Sequence, residues 1–106
     1  MNEVDEATEK LVEVVLASQE YQEYRTQLEK VKQFPELKKK VDEFRQHNYA
    51  LQNSPDYAFD KMEEFEREYR DFLEDPLVAS FLDAELALCR MMQHISYRVV
   101  EAVDFE

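Results

Sequence analysis

The stretch A-E-L-A-L-C-R-M-M-Q-H-I-S-Y-R-V-V, Ala84 to Val100, decides the fold class. Counted from Phe81, its seam runs Phe81, Glu85, Leu88, Met92, Ile95, Val99, Ala102, in alternating steps of four and three. That spacing keeps one face of an α-helix turned inward. Glu85 breaks the pattern, a carboxylate where a leucine belongs.

Moving outward, four further helical segments emerge. The first spans about Glu3 to Ala17, with Val4, Ala7, Leu11 and Val14 on one stripe. From Tyr21 the stripe becomes Tyr21, Tyr24, Leu28, Val31, so the apolar face rotates near Ser18. Serine is a good N-cap, which predicts a kink or a fresh helix start there. Pro35 opens a third helix, and the residue before proline resists helix. Its seam is Leu37, Val41, Phe44, Asn48, Leu51, again with one polar intruder. N-S-P-D, Asn53 to Asp56, is the strongest turn signal. The fourth helix carries Ala58, Met62, Phe65, Tyr69 and Phe72 on its seam. Its outer face holds Asp60, Glu63, Glu64, Glu66, Glu68 and Asp71. Asp75-Pro76 then pairs a cap with a first-turn proline. The last helix can run to about Val103, some 40 Å at ~1.5 Å per residue. A compact 100-residue chain has a radius of gyration of only ~13 Å. The expectation is therefore all-α: an elongated bundle of about five helices with a long C-terminal helical hairpin. Residues 1–106 form a single domain, since the length leaves no room for two cores.

Composition narrows the function. The 106 residues contain no glycine, which argues against P-loops and dinucleotide folds. The net charge is −12, and residues 55–76 alone carry nine acids against three bases. Such a balance repels phosphate backbones and anionic membranes. No run of about 18 apolar residues exists to span a bilayer. The acidic start, Glu3, Asp5 and Glu6, does not read as a signal peptide. The expected location is the cytoplasm.

Glu85 and Asn48 invite two readings. Glu85 either lies at the edge of a wide face, reaching water, or belongs to a buried polar network. An unpaired buried carboxylate is costly, so the second reading needs a partner: the Asn48 amide, a tyrosine hydroxyl or an arginine. Polar residues at seam positions commonly fix helix register and assembly. Arg90, His94 and Arg98 form a basic stripe at i, i+4, i+8. The stripe is either a solvated face or a docking strip for the acidic fourth helix or an acidic partner. Lys38 to Lys40, with Lys30, Lys32 and Arg45, form a short basic patch surrounded by acids, a poor RNA footprint. Cys89, the sole cysteine, reads as a small packed residue beside the seam. Tyr21, Tyr24, Tyr49, Tyr57 and Tyr97 read as exposed aromatics at packing edges. A di-iron carboxylate bundle needs paired Glu-x-x-His motifs, and Phe44 and Met91 stand where His47 and His94 would need glutamates. No catalytic, cofactor or metal-ligating residue is expected.

Several stretches then combine: S-Q-E-Y-Q-E-Y (18–24), F-P-E-L (34–37), D-E-F-R-Q-H-N-Y-A-L-Q (42–52), E-F-E-R-E-Y (64–69) and L-E-D-P-L-V-A-S-F-L-D-A-E-L-A-L-C-R-M-M-Q (73–93). In order and spacing the set resembles the YlbF/YmcA family of small helical proteins from Gram-positive bacteria. Two of the stretches contain Asn48 and Glu85. The resemblance implies a non-catalytic, cytoplasmic interaction protein that associates with itself, with paralogues and with a further partner. It implies influence on the membrane-bound endoribonuclease RNase Y, and through mRNA processing on competence, sporulation or biofilm formation. Some members of that family are linked to iron–sulfur clusters, and the YlbF type has a cysteine-rich C-terminal tail. With Cys89 alone, the resemblance is not extended to a cluster. A self-assembling structural protein and a direct RNA binder through Lys38 to Lys40 are the alternatives.

Overall fold

The computed structural model describes residues 2–53 and 59–104. Five helices follow one another: α1 (Glu3–Leu16), α2 (Gln19–Lys32), α3 (Pro35–Gln52), α4 (Phe59–Glu74) and α5 (Pro76–Val103). No strand occurs among the described residues. The fold is all-α, with α4 and α5 joined through Asp75 as a C-terminal hairpin. The Ser54–Pro55–Asp56 part of the expected turn, Tyr57 and Ala58 lie outside the described residues.

Each boundary has a local cause. The Asn2 side chain accepts from the Asp5 amide at 2.8 Å, and acids fill the first turn of α1, where the helix dipole favours them. Ser18 is extended, and its Oγ accepts from the Tyr21 amide at 3.1 Å to start α2. The same hydroxyl donates to the Val15 carbonyl at 2.6 Å, and Gln22 Nε2 donates to the Leu16 carbonyl at 2.8 Å. The break at Ser18 is thus stitched from both sides rather than left as a loose hinge. Phe34 (φ −123°) cannot join the helix before Pro35, which opens α3. Asp75 Oδ1 accepts from the Leu77 amide at 2.9 Å, with Pro76 at the first helical position of α5.

The core is built by α2 to α5. Leu28 and Val31 of α2, Val41 of α3, Tyr69 and Phe72 of α4, and Val78 and Phe81 of α5 form one buried cluster. Phe44 sits at its aromatic centre, with ring centroids 5.5 Å from Phe65, 5.1 Å from Tyr69 and 5.7 Å from Phe72. Tyr24 stacks 5.8 Å from Phe81, so it is a packing residue and not the exposed aromatic expected from its edge position. Val31, Val41, Val78 and Phe81 are fully buried, each contributing about 1.5–3 kcal/mol of hydrophobic stabilisation.

No residue of α1 is buried. Tyr24 of α2 meets Phe81, whereas residues 8–16 of α1 face Met92 and Ile95 further along α5. Descending numbers on one side meet ascending numbers on the other, so α1 and α2 together run antiparallel to α5. The first half of α5 is in the core. Its second half and α1 project beyond it as a two-helix arm. The extents of 50 × 39 × 19 Å and radius of gyration of 17.6 Å follow from that arm.

Candidate protein-interaction surface

The arm keeps its apolar seam without covering it. Along α5, Phe81 is fully buried, while Met92 is 46% exposed and Val99 and Val103 are exposed further out. On α1, Val4, Leu11, Val12, Val14 and Leu16 are exposed as well. Between the two helices lies a groove of about 350 Å³ floored by Leu11, Val12, Val15, Met92 and Ile95. A contiguous apolar strip of this kind marks a binding surface in a water-exposed protein. The 4-3 spacing marked the inward face, but it could not report how cover thins along it: Leu88 and Ile95 are half-buried, whereas Met92 and Val99 are exposed.

A second groove, about 480 Å³, opens where α3 meets α5, bounded by Arg45, Asn48, Tyr49, Glu85, Leu86 and Cys89. The two polar seam residues therefore share one wall-to-wall space. Glu85 does have a partner, and it is Arg45. Arg45 Nε donates to Oε1 at 3.2 Å while Nη2 engages Oε2, a bidentate pair between α3 and α5. The Glu85 side chain is 25% exposed and that of Arg45 37%. The pair is half-sheltered and not fully desolvated. The guanidinium also lies over the Phe81 ring, 5.3 Å from its centroid, and 3.7 Å from Asp42. Arg45 thus belongs to an ion pair and not to a free basic patch. Other members of that patch are engaged similarly: Lys38 pairs with Asp42 at 2.8 Å, Lys32 with Glu29 at 3.8 Å, and Lys40 lies over Phe72.

Cys89 is exposed at the rim of the α3/α5 groove, a correction to its expected packed position. Residue 89 is one step past Leu88 on the wheel, which turns it off the inward face to the rim of that groove. Tyr49 and Tyr97 are exposed, as expected. Arg90, His94 and Arg98 are all exposed on the arm. Among the described residues the stripe's one ion pair is Arg98 Nη1 to Glu101 Oε2, at 3.5 Å on its own helix. No described ion pair joins it to α4.

A polar contact with no signal in the sequence joins α3 to α4. The Tyr69 hydroxyl lies 2.5 Å from His47 Nδ1, with the ring in the core and His47 at the surface. Burial pushes the Tyr69 hydroxyl above its ordinary pKa, and the charges of Glu68 and Glu43 add to the rise. His47 and Tyr69 are distant in sequence, and spacing within either helix says nothing of their meeting. Among the described residues no cluster of His, Cys, Asp and Glu could hold a metal ion. No described helix is long and apolar enough to cross a membrane.

Fold and surface together define an all-α protein that presents an apolar arm beside a compact helical core. The chain belongs to the YlbF/YmcA family: the family model described as control of competence regulator ComK, YlbF/YmcA, matches residues 4–104. The role that goes with this membership is regulatory. No curated protein and no solved structure matches the chain.

Proposed function

We propose that the protein is a non-catalytic adaptor that acts by binding other proteins within an RNase Y-linked mRNA-processing pathway. The exposed seam of α1 and the outer half of α5 carries this reading. Nature keeps so much aliphatic surface in water where a partner covers it. The family's regulatory role agrees with action through contacts. The net charge of −12, and the pairing of Lys38, Lys32 and Arg45 with acids, support protein partners over RNA.

The test uses the tagged full chain in its native cytosol, beside a variant carrying Val4→Asp and Val14→Asp. Both positions are exposed, so the core stays intact. RNase Y is expected to co-purify with the unaltered chain and to be lost with the variant. RNase Y absent from both, together with unchanged RNase Y-dependent transcript ends after gene deletion, overturns the proposal.

A further inference from the structure

We infer that α1 is a latched arm that swings away from α5 about Ser18 and takes a helix of the protein partner between the two. This rests on the adaptor reading and adds how the partner gains entry.

α1 is held weakly everywhere except at its C-terminal end. None of its residues is buried, and among the described residues no ion pair or side-chain hydrogen bond joins it to α5. A helix with so few covered groups opens before the core does. Its side-chain ties to the rest of the chain cross the break at Ser18. There Ser18 Oγ donates to the Val15 carbonyl at 2.6 Å, and Gln22 Nε2 donates to the Leu16 carbonyl at 2.8 Å. These two bonds are the latch.

Size shows why the latch must release. Three turns of helix about 10 Å across take up roughly 1,200 Å³. The groove between α1 and α5 holds about 350 Å³, so it admits side chains but not a helix. Its walls are already of the kind a helix buries: Leu11, Val12, Met92 and Ile95. Charge then defines the occupant. α1 carries Glu3, Asp5, Glu6, Glu9 and Glu13 against Lys10. Past Cys89, α5 carries Arg90, His94 and Arg98 against Glu101. A helix seated between them matches both walls when its basic edge faces α1 and its acidic edge faces α5. Neither α1 nor the outer half of α5 has that polarity, so the fitting occupant is a foreign helix and not a second copy's arm.

The experiment uses the full chain with Cys89→Ser, which removes the native thiol, and with Leu11→Cys and Ile95→Cys, which place a thiol on each wall of the groove. Oxidation staples α1 shut and reduction frees it, in the same protein. The probes are solubilised RNase Y and a synthetic helix of about five turns. That helix carries leucines at four-three spacing, lysines along one edge and glutamates along the other. The reduced form is expected to bind it at least about tenfold more tightly than the stapled form. In the unaltered chain, Gln22→Ala removes one latch bond at an exposed position and is expected to tighten binding about threefold. Equal binding by stapled and reduced forms overturns the inference, as does an unaltered chain that does not bind the helix. So does a Gln22→Ala affinity at or below the unaltered one. Introduced thiols that never join overturn it too, since α1 and α5 then do not meet across the groove. A peptide copy of α1 that binds as tightly as the polarised helix also overturns it, because a second copy would then fill the groove. RNase Y captured equally by stapled and reduced forms refutes the opening and leaves the adaptor reading standing. RNase Y captured by neither, with the synthetic helix gated by the staple, counts against the adaptor reading alone.

Discussion

Arg45 solves the problem that Glu85 sets. A lone carboxylate at that seam position would lose water without recompense; the bidentate guanidinium replaces the water, and Phe81 supports it from behind. Because both side chains retain partial exposure, the pair is worth less than a buried one. A double-mutant cycle of Glu85→Leu and Arg45→Met in urea is expected to give a coupling of about 1 kcal/mol, with the double variant near the unaltered stability. A coupling near zero would show that the pair is decorative. Tyr69 carries a pH consequence. Its folded pKa is raised above the ordinary 10.0, so the unfolded chain releases the hydroxyl proton first as pH rises. The stability it protects is fully present below pH 10.0 and is lost as pH climbs through the folded value. Tyr69→Phe is expected to lose about 1 kcal/mol at neutral pH, from the missing bond to His47, and to flatten the alkaline decline. Urea midpoints across the alkaline range read both effects.

At the scale of elements, most boundaries were legible because they rest on local chemistry. Ser18, Pro35, Asp75 and Pro76 each satisfy or forbid a nearby backbone group, and no distant residue is needed to decide them. The cap at Ser18 does more than start a helix, since it also holds the end of α1 through Val15. Ser18→Ala removes both bonds and is expected to cost about 1 kcal/mol. For a domain this size that lowers Tm by about 4–8 °C, while Ser18→Asp restores most of the loss. An unchanged Tm for Ser18→Ala would mean that α1 and α2 are held by packing alone. What stayed hidden were the contacts between elements. The sequence left Glu85 three kinds of partner and could not choose among them. It gave no hint that His47 meets Tyr69, and it placed Cys89 in a packed layer from which its position on the wheel turns it away. Helical spacing marks which face is greasy, but which neighbour covers it depends on how five rods are arranged.

Across the whole molecule, the same 4-3 repeat runs from a fully buried Phe81 to a largely exposed Val99, so one periodic signal spans two physical situations. Near Phe81 the seam pays its way inside the chain. Beyond Leu88 the seam is only partly covered within the chain, with Ile95 half-buried against α1 and Met92 and Val99 exposed. Amide hydrogen exchange separates the two parts of the chain directly. Core amides around Val31, Val41 and Phe81 are expected to be the most protected, and those of α1 and the outer half of α5 to exchange faster. Equal protection of arm and core would mean that the α1–α5 contact within one chain already suffices to hold the arm.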